Sequence, residues 1–203
     1  MESKKILEKY VGPSVGNRIF FWLLLGLAVM LLVLGLTAGD SDGELWIVLG
    51  ITTLAMWLIY TVVVLMPVLR LNKCVKLLEA SGELDAAAKA LESHDTYVIG
   101  NNKGRISGGY LFGKNTGMVV RVKDLMWCYK QIQRVWFIPT NASLIIYTMD
   151  HSLIPAVIYG KNDRYQELEQ AMLYLQKENP GILLGFNREN QKAYKAAKKA
   201  AKV

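Results

Sequence analysis

Between Gly108 and Thr116 the chain reads Gly-Gly-Tyr-Leu-Phe-Gly-Lys-Asn-Thr, one residue away from the GxxxxGK[ST] phosphate loop. In such a loop a glycine-rich backbone cradles phosphates, the lysine reaches them and the hydroxyl that follows binds Mg²⁺. Here Asn115 stands where the hydroxyl should be. Tyr110-Leu111-Phe112 has the texture of a strand, and no apolar-periodic helix follows Lys114. The segment therefore predicts a β-hairpin turn, not a nucleotide site. Cys74 and Cys128 are isolated, with no Cys or His at zinc spacing, so no metal site is expected. His94 and His151 sit beside Asp95 and Asp150, pairs that read as solvated turns. GxSxG, HExxH and paired carboxylates are all missing from the sequence. No catalytic residue and no cofactor is expected, and the chain is read as a non-enzyme.

The strongest charge pattern lies at the end. Arg188, Lys192, Lys195, Lys199 and Lys202 recur at intervals of 4, 3, 4 and 3, which is one face of a helix, with alanines filling most of the rest. Such a face suits an anionic membrane surface, at roughly 1 kcal/mol per basic residue. A solvated helix that only aids solubility is the plainer reading, and nucleic acid is the least favoured.

These groups need elements to hold them. The 203 residues carry a net charge of +7, with 52% hydrophobic and 20% charged residues and a mean hydropathy of +0.21. That composition excludes intrinsic disorder, and two cysteines exclude a disulfide scaffold. The excess apolarity lies in two uncharged runs, Ile19 to Leu36 and Leu45 to Leu69. The first, 18 residues long, reaches roughly 27 Å as a helix, close to a hydrocarbon core of about 30 Å. It is too long for a signal-peptide core, and a second span follows at once. The link Thr37 to Glu44 carries Asp40, Asp42 and Glu44 and no basic residue. Lys4, Lys5, Lys9 and Arg18 flank one end of the hairpin, and Arg70, Lys73 and Lys76 the other. The positive-inside rule then places both termini in the cytoplasm of a two-span plasma-membrane protein. Neither run holds an ionisable residue that would mark a transport pathway.

Residues 70–203 hold 20 basic against 12 acidic side chains. Residues 70–94 predict a helical stalk. From Asp95 onward short β-rich runs alternate with turn signals. Tyr97 to Ile99, Arg105 to Phe112 (with Gly108-Gly109 as a bulge or bend) and Met118 to Val122 are strand candidates. So are Leu125 to Phe137, in which Leu125, Trp127 and Tyr129 would share a face, and Ala142 to Met149. Leu153 to Tyr159 is the last, and Pro155 assigns it to an edge. A helix capped by Asn162 follows, with Tyr165, Leu168, Met172 and Leu175 as its buried stripe. Asn179-Pro180-Gly181 ends it.

This order, over residues 95–178, resembles the bacterial PH-like (GRAM-like) domains. The likeness rests on five features. They are the Tyr97–Ile99 strand, the Arg105-Ile106-Ser107 strand, Val-Lys-Asp-Leu-x-Trp-x-Tyr at 122–129, Leu-Ile-Ile-Tyr-Thr-x-Asp at 144–150, and a last helix with Glu167, Leu168, Ala171 and Leu175. Two spans followed by such a domain is similar to several uncharacterised bacterial membrane-protein families. The resemblance implies a fold and a location but no activity. It also implies that the turn between the first two strands receives phosphate headgroups. Lys103 and Arg105 lie there, with Lys114 in a neighbouring turn, as a candidate site for anionic headgroups or a protein partner.

The expectation is thus an α+β membrane protein. A cytoplasmic segment 1–18 precedes a transmembrane helical hairpin at 19–69 and the stalk at 70–94. A small antiparallel PH-like β-barrel or sandwich at 95–178, capped by its amphipathic helix, precedes the basic tail at 179–203. The expected function is a membrane-anchored, non-enzymatic binding or scaffold protein that engages lipid headgroups or a protein partner, with a homo-oligomer formed through its hairpin as a further expectation. An enzyme with an unrecognised site on the β-domain, and a small oligomeric channel or transporter accessory subunit, are the rival classes.

Overall fold

The computed structural model describes residues 2–38, 41–100, 102–136, 138–149, 153–159 and 165–200. The chain divides into two compact units, Pro13–Leu69 and a second made of Met1–Gly12 with Arg70–Val203. The first unit holds α2 (Val15–Ala38) and most of α3 (Ser41–Ala80). Both helices are long and apolar enough to cross a membrane. They run antiparallel, because Phe20 meets Tyr60, Phe21 meets Trp57, and Gly50 and Gly35 lie against Leu32 and Ile47. A Cβ at Gly50 would stand 2.7 Å from the Leu32 side chain, so glycine sets the helix spacing there. The hydroxyls of Thr52, Thr53 and Thr61 donate to carbonyls one turn back in their own helix. Each of those three hydroxyls is thereby satisfied within its own helix.

The second unit is built on two open four-stranded sheets. β1 (Tyr97–Ile99), β2 (Gly104–Ser107), β3 (Tyr110–Gly113) and β4 (Met118–Arg121) form an antiparallel meander in that order. The other sheet has the order β7-β6-β5-β8, with β5 Leu125–Val135, β6 Ile138–Thr148, β7 Leu153–Tyr159 and β8 Leu183–Leu184. Only β8 runs parallel to its neighbour. The sheets do not close into a barrel. A 3₁₀ turn at Val122–Asp124 carries the chain from β4 to β5, and those two strands are not paired. The expected strand over Arg105 to Phe112 is two strands. Gly108 and Gly109 both take positive φ, 54° and 80°, and so make a two-residue hairpin turn at the place expected for a bulge or bend within one strand. The near phosphate-loop segment is β3 and the turn after it. Pro155 lies on β7, an edge strand.

Alternation along the meander explains its packing. Leu111, Met118 and Val120 point into a core shared with Leu144, Ile146, Leu168 and Leu175. Phe112 and Val119 point the other way, into a second core formed by α1 (Glu2–Val11), the end of α3 and α4 (Leu84–Glu92). There Leu7, Val11, Leu71, Val75, Leu78 and Leu91 are buried. Residues 2–11 and 70–92, within the expected cytoplasmic segment 1–18 and helical stalk 70–94, are thus the outer layer of the folded unit. At Gly108 a Cβ would stand 2.6 Å from that of Ala90, so the β2–β3 turn is pressed onto α4.

On the other side α5 (Tyr165–Glu178) buries Leu168, Ala171 and Leu175, with Met172 packed at the margin. The Asn162 cap, the Tyr165 side chain and the turn at Asp150-His151-Ser152 lie outside the described residues. Asn179 ends α5 and donates from Nδ2 to the carbonyls of Val122 and Leu125, both at 2.9 Å. A bulge between Leu125 and Trp127 shifts the phase of β5. Leu125 and Cys128 therefore face the core, while Trp127 and Tyr129 face outward together. The expectation of one face for Leu125, Trp127 and Tyr129 fails at that bulge. α6 (Arg188–Ala200) lies over the outward aromatics, with Tyr194 4.6 Å from Tyr147 and 5.6 Å from Trp127.

Candidate anion-binding cleft

Antiparallel pairing puts the β1–β2 turn and the β3–β4 turn at the same end of the meander. Their backbones touch there, with Lys114 N donating to Lys103 O at 2.9 Å. The end of α1 is fastened to the second turn, since Asn115 N donates to Tyr10 O at 3.2 Å and Gly117 N to Val11 O at 2.9 Å. This carries Lys9 and Tyr10 across to residues more than 90 positions later.

Arg105 is held in place from three sides. Its Nε donates to Asn102 Oδ1 at 2.6 Å and its Nη1 to Leu91 O at 3.4 Å. Its guanidinium lies over the Tyr10 ring, 4.8 Å from the centroid, a cation–π contact. The Tyr10 hydroxyl stands 3.0 Å from both the carbonyl and the side-chain oxygen of Asn102. Asn102 adopts φ +65°, a conformation asparagine accepts more readily than most residues. Burial pushes the Tyr10 hydroxyl up to about 12, against the pull of the Arg105 charge. Tyr10 is therefore a neutral donor at any physiological pH.

Around this core opens a cleft of about 840 Å³. Lys9 and Tyr10 form one wall, Glu92, Ser93 and His94 a second, and Arg105 and Lys114 a third. Three cations thus face a single carboxylate. Of the residues predicted from sequence, Arg105 and Lys114 line the cleft. Lys103 shares the turn and anchors it, its N donating to Ile99 O and Gly100 O, but it does not line the cleft. Lys9, Tyr10 and His94 were not anticipated there. The signal for α1 was Ile6, Leu7, Tyr10 and Val11 at helical spacing, an amphipathic stripe in front of the first apolar run.

The basic tail sits elsewhere. Arg188, Lys192, Lys195 and Lys199 are all exposed on α6, and Lys202 lies outside the described residues. Tyr194 anchors that helix, only 7% exposed. Asn190 Nδ2 donates to Leu184 O and Gly185 O, and Trp127 Nε1 donates to Gly185 O at 2.8 Å. The charged face is therefore carried on a fixed helix. Cys74 and Cys128 are both buried, and burial pushes the Cys128 thiol up to about 12, which makes it inert as a nucleophile. Among the described residues, no three His, Cys, Asp or Glu side chains converge on a point. His151 lies outside the described residues. No family model, curated protein or solved structure matches the chain.

Proposed function

We propose that this chain is a membrane-anchored, non-enzymatic binding protein whose folded unit, a variant on the PH-like plan, receives anionic phosphate headgroups at the cytoplasmic face of the plasma membrane. The observation that carries this reading is the convergence of Lys9, Arg105 and Lys114, from three separate segments, on one polar cleft. Lysine offers a point charge and arginine a planar fork, the two donors best suited to phosphate oxygens. Arg105 is pre-oriented by Asn102, Leu91 O and Tyr10, so little side-chain entropy is lost when an anion arrives.

The test is calorimetric titration of the full chain, in a non-ionic detergent, with a short-chain phosphatidic acid. A charge-assisted contact contributes about 1.5–3 kcal/mol. Lys9→Ala and Lys114→Ala together should therefore weaken binding at least tenfold, and added salt should weaken what remains. Replacing Arg188, Lys192, Lys195 and Lys199 with alanine should leave the affinity within about twofold. If the α6 variant loses binding and the cleft variant keeps it, the cleft is not the headgroup site.

A further inference from the structure

Strands β5 and β6 make a long hairpin, paired from Leu125↔Thr148 to Val135↔Ile138. Among the described residues, the last β6 residue paired with β7 is Ala142, opposite Tyr159, and β5 and β6 stay paired to Val135↔Ile138. At about 3.3 Å per residue the pair at Val135↔Ile138 lies roughly 13 Å along the strands from Ala142. Ile132 packs on the core opposite Ala142, and beyond it Gln133 and Arg134 are exposed.

Trp136 follows β5, inside the run Val135-Trp136-Phe137-Ile138-Pro139. Two-residue hairpin turns strongly prefer Asn-Gly, Asp-Gly or Gly-Gly, because positive φ is needed and bulky residues resist it. Trp136 nevertheless adopts φ +59° and is 90% exposed, the most exposed large apolar side chain described. The turn thus forgoes the residues that would form it best, and presents an indole to solvent. Arg134, exposed two residues before it, is the charged side chain nearest the tip in sequence.

We propose that this tip is a membrane-insertion element, with Trp136 entering the interfacial layer of a bilayer and Arg134 meeting anionic headgroups beside it. Tryptophan favours that layer because its ring is apolar and its N–H is polar. Arginine next to it supplies the charge complementary to an anionic leaflet. α2 and α3 are long and apolar enough to hold the chain at a membrane, so a bilayer would be at high effective concentration around the hairpin. The inference is independent of the phosphate cleft, since the tip shares no residue with it.

The test uses the full chain in vesicles of phosphatidylcholine with phosphatidylglycerol. Cys74 and Cys128 are buried, so a nitroxide can be placed at Trp136→Cys or, as reference, at the exposed Gln170→Cys. Collision with oxygen should exceed collision with a water-soluble nickel chelate several-fold at position 136, and the reverse should hold at 170. A second measurement keeps the native side chain. The fluorescence that Trp136 contributes, taken as parent minus Trp136→Gly, should fall at least twofold when the lipid is brominated. Trp136→Gly should fold normally, because glycine accepts this φ. If position 136 prefers the nickel chelate as position 170 does, or if the difference fluorescence ignores bromine, the tip lies in water. Its apolar surface would then serve a protein partner, and the proposal is overturned.

Discussion

Replacing Leu7 with alanine tests whether the first helix belongs to the folded unit. Leu7 has 0% exposure and packs with Leu71, Val75, Phe112 and Val119, between a helix and a sheet that hold each other's spacing. Buried leucine-to-alanine changes cost about 2–5 kcal/mol, and sites that cannot collapse lie above the low end. With about 3 kcal/mol lost, and about 2–4 °C per kcal/mol in a unit of this size, Tm should fall by roughly 6–12 °C. The assay is heating of the full chain in mild detergent with a maleimide dye that fluoresces on reaction. Cys74 and Cys128 are the only thiols; both are buried in this unit, so dye uptake reports its opening. Leu173→Ala, on the exposed side of α5, is the control and should move Tm by less than about 2 °C. If Leu7→Ala melts with the control, α1 is not docked. Lys9 would then have no fixed place in the cleft.

Three further outcomes are expected. Burial raises the Glu83 carboxyl, but the Tyr110 hydroxyl at 3.2 Å, with Arg121 and Lys123, outweighs it and holds the group below its ordinary 4.5. Its contribution is therefore present above about pH 4.5 and lost as pH falls through that range, and Glu83→Gln should flatten the acid limb of a melting-temperature profile. Asn179→Ala removes the donor shared by Val122 O and Leu125 O and should cost about 1–3 kcal/mol, read as a fall of several degrees in the same dye assay. Cysteines at Glu44 and Gln170 should react with an impermeant maleimide from opposite sides of sealed vesicles, and reaction from one side only would refute the two-span hairpin.

The apolar helices were legible because uncharged runs of that length have few other uses. The stripe of α5 was legible because Leu168, Ala171 and Leu175 obey one period. The docking of α1 and α4 was harder to read, because their partners lie far away in the sequence. A trace of it was present, however. Tyr110-Leu111-Phe112 and Met118-Val119-Val120 are apolar without alternation, the mark of strands covered on both faces. The bulge at Leu125/Trp127 left no such trace, and it reversed which residues face the core. The Trp136 turn was hidden for a different reason. It contains no Gly, Asn or Pro, so Leu125 to Phe137 read as unbroken strand, and the next strand was started at Ala142 instead of Ile138. Half of the cleft was legible, since Arg105 at the start of β2 and Lys114 just after β3 lie at one end of one meander. Lys9 and Tyr10 enter it only through the tertiary contact of α1.

That contact also bears on how the chain is made. Tyr10 and Asn102 bond to each other 92 residues apart in sequence, and both apolar helices are synthesised between them. α1 leaves the ribosome before α2, α3 and the meander, and its buried face has no partner until the meander has been translated. For a chain whose two helices cross a membrane, the two parts of this unit meet only after an even number of crossings. A single crossing would strand Leu7 and Val11 on one side and Phe112 and Val119 on the other, each with its apolar surface bare. An insertion error thereby becomes a folding error, visible to the proteases and chaperones that survey exposed apolar surface. For a chain inserted in that way, the ten residues of α1 find their buried partners only when both helices have crossed.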